Sequence, residues 1–177
     1  MMTVVGRTRR RGGPGGDASS AAGWVLNRLW LVIPAFAFDA ALTGRLPALY
    51  QARLFWADIP AWMIVAENSL RVVVIALPVL MPLLPLRPGT VITYAAGLIA
   101  YSAAWLMQIA APNSPWSMSA IGSTAPAWSS ALWLIGIGLG SRLRLLPWFR
   151  PWMYVLLVTV FVAVHTAHAW LVWGRAN

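Results

Sequence analysis

Five ionisable side chains stand inside long apolar runs, where each needs a partner. Glu67 and Arg71, with Asn68 between them, interrupt the stretch from Pro60 to Pro85. Asp39 interrupts the stretch 24–46, and His165 and His168 interrupt the stretch 151–173. A charge held in hydrocarbon costs about 3 kcal/mol or more, so such groups pair, and they often mark a pathway or a site. Glu67 and Arg71 are four residues apart, on one helical face and in the favourable order for an ion pair. His165 and His168 are three apart, again on one face. With Asp39 and Glu67 they could complete a two-histidine, two-carboxylate metal site. Two histidines in a span are more often hydrogen-bonded partners, so no metal is assigned and the metal set stays a subordinate alternative.

Depth groups these residues. At about 1.5 Å per helical residue, Asp39, Glu67 and His168 each lie about 10 Å inside one boundary. Arg71 and His165 fall nearer the midplane. Tyr94, Tyr101 and Gln108 recur every seven residues and form a polar stripe, with Gln108 expected just above the cluster. The candidate cluster is therefore Asp39, Glu67, Asn68, Arg71, Tyr101, Gln108, His165 and His168. It supports four readings. One is a structural network in which Glu67 pairs with Arg71 and Asp39 takes a histidine. Another is the floor of a pocket for a small or lipid-like molecule, walled by Trp56, Trp62, Trp105, Trp116, Trp128, Trp133 and Trp170. The remaining two are a proton or ion relay through Asp39, Glu67 and His165, and an intramembrane enzyme. His165 and His168 project from one side of one helix and cannot both be axial ligands of one haem. Ser69, Ser102 and Ser129 lack the Gly-x-Ser-x-Gly context of a hydrolase elbow. No cofactor is assigned.

The elements that carry these residues are membrane spans. Of 177 residues, 60% are hydrophobic and only 10% charged, far below the roughly one quarter of soluble domains. We expect an all-α, polytopic bundle of five spans, at about 24–46, 60–84, 88–111, 127–140 and 151–173. The spans form a single domain over 24–177, preceded by a disordered basic tail at 1–23. Arginines 7 to 11, Arg28, Arg87 and the group Arg142, Arg144 and Arg150 place the N-terminus in the cytoplasm and the C-terminus in the periplasm. Ala35–Ala37 resembles a signal-peptide cleavage site, but the apolar run continues beyond it to Leu42. Residues 47–59 read as a short interfacial helix. Residues 112–126, rich in hydroxyls and prolines, read as a loop rather than a re-entrant lid. Ala96, Ala100 and Ala104, and the Gly136–Gly140 pair, offer close helix contact.

The absence of cysteine excludes disulfides, thiolate catalysis and iron–sulfur ligation. The net charge of +9 is spread over span ends, so nucleic acid is not an expected partner. All thirteen basic residues are arginine; with abundant Ala, Gly, Pro and Trp this composition suggests a GC-rich bacterial genome and a multi-pass protein of the inner membrane. In span count and tryptophan content alone the chain resembles the tryptophan-rich sensory proteins; no motif accompanies the resemblance, and it gives no residue a role. The expected function is binding of a small amphipathic or lipid-like ligand, or service as an accessory subunit in a membrane assembly. An intramembrane enzyme or a proton- or ion-coupled carrier using Asp39, Glu67, His165 and His168 is the alternative. Expected partners are the lipid bilayer and either other membrane subunits or further copies of the chain.

Overall fold

Apolar runs without strand-type alternation fold as helices, and the computed structural model, which describes residues 24–176, is helical apart from one isolated bridge between Asn27 and Pro82. The tail expected at 1–23 lies outside the described residues. The helices are α1 (Ile33–Leu42), α2 (Ala52–Phe55), α3 (Ala61–Ala76), α4 (Pro88–Ala110), α5 (Pro115–Met118), α6 (Ala120–Ser123), α7 (Ala125–Gly138) and α8 (Pro151–Ala176). Three are long and apolar enough to cross a membrane: α3 with its tight final turn to Leu80, α4, and α8.

Residues 24–46, expected as one helix, are not continuous. A tight turn over Arg28–Leu31 comes first, with Asn27 Oδ1 accepting from the Leu29 amide at 3.0 Å. Helix α1 then starts beside Pro34. Proline lacks an N–H and is tolerated in a first turn, so it begins a new helix here rather than kinking a long one. Helix α1 has 10 residues, about 15 Å, roughly half the hydrocarbon thickness. Helix α7 has 14 residues and is largely buried.

Arg28, read from the sequence as a charge on the cytoplasmic side, is 2% exposed. It donates to Pro82 O (3.1 Å), Ile137 O (2.5 Å) and Leu139 O (2.9 Å). The last two carbonyls close the C-terminal end of α7, where unpaired carbonyls carry partial negative charge.

The helix seams use glycine. A Cβ on Gly97 would sit 2.2 Å from the Trp133 backbone nitrogen, and one on Gly136 would sit 2.6 Å from the Tyr94 backbone. Backbone approach between α4 and α7 therefore runs through these two residues. The alanine stripe expected to pack does so only in part: Ala104 is buried, but Ala96 is exposed. Gly138 receives the Tyr154 ring, and Tyr154 Oη donates to Val74 O at 3.0 Å, tying α8 to α3. Val32, Val74, Met81, Leu134, Ile137, Tyr154 and Val158 form the dry centre.

Candidate functional site

Glu67 projects from α3 into the seam with α8 and is fully buried. The heptad-like spacing that puts Met63, Glu67 and Val74 on the inner face leaves Val65, Val72 and Val73 outside. Its Oε1 accepts from Arg71 Nη2 and meets His165 Nδ1 at 3.0 Å; its Oε2 meets His168 Nδ1 at 2.5 Å. The two histidines expected to share one seam do so, one turn apart on α8. Arg71 Nη1 donates to Asn68 Oδ1 at 3.1 Å, and Asn68 Nδ2 donates to Ile64 O at 2.9 Å. The Trp56 ring lies 5.7 Å from the guanidinium and shields its face.

The residues of 47–59 cover this cluster. They form a tight turn at Ala48–Tyr50 and the single-turn helix α2, not one interfacial helix. Phe55 O meets His168 Nε2 at 2.9 Å, and the Phe55 and Trp56 rings lie 4.3 and 4.7 Å from the His168 ring. Tyr50 Oη donates to Ser123 O at 2.7 Å, and burial pushes that hydroxyl above its ordinary range, so it remains a donor. Arg175, at the end of α8, donates to Ala57 O and holds the cover at its far edge.

Hydrogen-bond counting fixes one proton. His168 meets an acceptor at each ring nitrogen: a backbone carbonyl at Nε2 and a carboxylate oxygen at Nδ1. Neutral imidazole donates from one nitrogen only. A proton must therefore lie between Glu67 and His168, on the ring as an imidazolium or on Oε2 as a carboxylic acid. In both forms Glu67 and His168 together carry no net charge, and Arg71 leaves the cluster at one positive charge. His165 uses Nδ1 toward Glu67, and no described residue bonds its Nε2. With Nδ1 donating, Nε2 presents a lone pair.

Asp39 stands apart from this group, contrary to the expectation that it takes a histidine. Tyr101 Oη lies 2.8 Å from both its oxygens, and no arginine or histidine among the described residues is within 4.0 Å of it. The reason is placement: α1 packs toward α4, so Tyr101 reaches the carboxylate first. Gln108 also leaves the cluster. It lies seven residues beyond Tyr101 and donates to Gly122 O at 2.7 Å, anchoring the 112–126 segment. That segment is not a plain loop; α5 and α6 are each started by a serine, Ser114 and Ser119.

Asp39 and the positive cluster face each other across open space. One cavity of about 280 Å³ and a neighbour of about 240 Å³ are both lined by Asp39, Arg71, Trp105 and His165. The first is also lined by Tyr50, Phe55 and Trp56, and the second by Tyr101, Trp133 and Phe161. Phe161 stacks on His165 with ring planes 5° apart and fixes its orientation. The Trp133 indole N–H lacks a hydrogen-bond partner among the described residues. Of the tryptophans expected as walls, Trp56, Trp105 and Trp133 serve; Trp62, Trp116, Trp128 and Trp170 are each at least 40% exposed and face outward. The metal alternative finds no support: no group of three or more His, Asp or Glu is placed to hold an ion among the described residues. Tyr50 and Phe55 were not among the expected site residues. Their signal was an aromatic recurrence at 50, 55 and 56, beside the polar residues of an amphipathic segment.

Fold and site together define an all-helical chain with three membrane-length helices and a cavity lined by Asp39 on one side and by Arg71 and His165 on the other. Comparison carries the assignment no further: no family model, no curated protein and no solved structure matches the chain.

Proposed function

We propose that the chain is a multi-pass protein of the bacterial inner membrane that binds a small amphipathic molecule in the paired cavities. The observation that carries this reading is the sharing of Asp39, Arg71, Trp105 and His165 by both cavities. A carboxylate with one hydroxyl donor faces a cluster of one positive charge across an aromatic-walled space. Such a space suits a molecule whose polar end has both a hydrogen-bond donor or cationic group, for Asp39, and an acceptor, for Arg71. Its apolar part lies against Trp105, Trp133 and Phe161. Glu67 and His168, both fully buried, position Arg71 and His165 and do not meet the ligand. The test is native mass spectrometry of the chain purified in mild detergent, with extraction of what it retains. A stoichiometric small molecule held by the wild type and lost with Asp39→Asn supports binding. A wild type that retains nothing and shows no change in tryptophan emission with any amphipathic amine or zwitterion tried refutes it.

In the same reading the bundle crosses the membrane five times. The short helices α1 and α7 cross as shielded elements, because irregular backbone is tolerated at membrane depth where protein covers it. The unbonded Nε2 of His165, with Nδ1 held by Glu67, favours one second reading, in which His165 accepts a proton from a bound substrate. Turnover that disappears with His165→Gln while ligand retention persists would distinguish catalysis from binding.

A further inference from the structure

About 20 Å along α4 and α8 from Tyr101 and His165, the bundle ends in a second polar region of different chemistry. Two adjoining cavities, of about 310 and 500 Å³, are both lined by Arg87, Gly140 and Arg142. Arg28 also borders the first, and Ser141 and Arg150 border the second. Arg87 immediately precedes α4, Arg142 follows α7, and Arg150 immediately precedes α8. All three are exposed, and none of their guanidinium groups has a hydrogen-bond or ion-pair partner among the described residues. The described acids are Asp39, Glu67 and Asp58, and none of them lines either cavity.

Two features set this region apart from a row of solvated arginines. The first is Ser141. It is 1% exposed and lines the larger cavity, yet its Oγ has no hydrogen-bond partner among the described residues. Buried hydroxyls are nearly always bonded, so an orphaned one beside a cavity points to an absent acceptor. The second is the treatment of α7. Its C-terminal carbonyls would repel an anion, but Arg28 covers Ile137 O and Leu139 O, and Thr90 Oγ1 donates to Leu139 O at 3.1 Å. The N-terminal ends of α4 and α8, which favour negative charge, flank the same space.

We propose that this is a phosphate-binding site, in which Arg87, Arg142 and Arg150 surround one phosphate group and Ser141 Oγ donates to it. A phosphate oxygen only accepts, and arginine forks match its geometry in pairs. The group is carried either by the head of an anionic lipid or by a soluble phosphate. Arg87 and Arg150 stand at the ends of the membrane-length helices α4 and α8, where lipid head groups lie.

The experiment uses the full chain in nanodiscs of phosphatidylcholine. One arm adds phosphatidylglycerol to the disc; the other titrates inorganic phosphate against chloride at matched ionic strength. The thermal midpoint and the apparent affinity are read for wild type, for Ser141→Ala, and for Arg87→Gln/Arg142→Gln/Arg150→Gln. The replaced arginines have no described partner, so the triple variant should unfold as wild type does in plain phosphatidylcholine. If it does not fold, Ser141→Ala alone decides. The wild-type midpoint should rise in one arm. Affinity in that arm should fall by about tenfold for each arginine lost and by about fivefold for the serine. A rise with phosphatidylglycerol alone supports a lipid head group, and a rise with inorganic phosphate supports a soluble ligand. No rise in either arm overturns the site, as does a Ser141→Ala response equal to wild type when the triple variant is unfolded. A triple variant that folds and responds like wild type overturns it too.

Discussion

Replacing Glu67 in two ways tests the proton count at the centre of the bundle. Glutamine keeps the shape. Its carbonyl can accept from Arg71 and His165, and its amide can donate to His168 Nδ1 while His168 Nε2–H stays on Phe55 O. The total charge is unchanged, because the wild-type cluster already holds one proton between Glu67 and His168. What is lost is the charge assistance of the Arg71 bond, worth about 1–2 kcal/mol. Arg71 keeps Asn68, the Trp56 face and a side chain that is 37% exposed to the cavity, which limits the loss. Leucine removes every acceptor. It leaves the Arg71 charge without its partner and orphans the Nδ1 atoms of both histidines, for a cost of about 3–5 kcal/mol, toward the lower value because Arg71 is partly solvated. The expected gap between the variants is therefore about 2 kcal/mol. Reversible unfolding in mixed micelles measures it, with tryptophan emission as the probe; the chain has 12 such residues. Equal destabilisation by Gln and Leu would refute the donor and acceptor count, because it would mean the full carboxylate charge is required. Adding Arg71→Leu to Glu67→Leu should cost less than the sum of the single changes, and additivity within about 0.5 kcal/mol would end the claim that the two side chains pair.

Other outcomes follow from named contacts. Arg28→Met keeps the apolar stem but orphans Pro82 O and Ile137 O, while Leu139 O keeps Thr90, and should destabilise by about 2–3 kcal/mol; a loss under about 0.5 kcal/mol would show that the buried arginine is not the cap of α7. Gly97→Ala places a Cβ against the Trp133 backbone and should cost about 2–3 kcal/mol or more, whereas Gly44→Ala, with nothing within 4 Å, should be neutral in the same assay. Tyr101→Phe removes the hydroxyl from Asp39 and should weaken retention of any cavity ligand while changing stability by about 1–2 kcal/mol; unchanged retention would remove Asp39 from the binding reading. For topology, cysteines placed at exposed Asn113 and Leu145 should label from opposite sides of the membrane, Asn113 from the periplasm, and equal access to one impermeant reagent would overturn that orientation.

Spacing within one helix was legible without coordinates. Glu67 and Arg71, four apart, pair as helical geometry requires, and His165 and His168, three apart, both reach one carboxylate. The long apolar runs of α3, α4 and α8 likewise read directly as membrane-length helices, because composition over 20 residues overrides local detail. Contacts between elements did not read. Asp39 lies at the depth of the histidines, yet depth gives no angle around the bundle, and the packing of α1 against α4 gave it to Tyr101. Gln108 shares the helix face of Tyr101 but lies about 10 Å further along, where the 112–126 segment supplies a carbonyl. Arg28 read as a cytoplasmic-side charge because a sequence shows no unpaired carbonyls; only the end of α7 arriving beside it makes burial favourable. Sequence alone thus determined that the chain is helical, that the runs of α3, α4 and α8, among the five spans expected, match a membrane, and that Glu67 has Arg71 beside it. The tertiary structure decided which charges meet, where a proton must be held, and that Asp39 and Arg71 face one another across a cavity. Side-chain partners in an apolar bundle are chosen by helix rotation and crossing, which no one-dimensional pattern records.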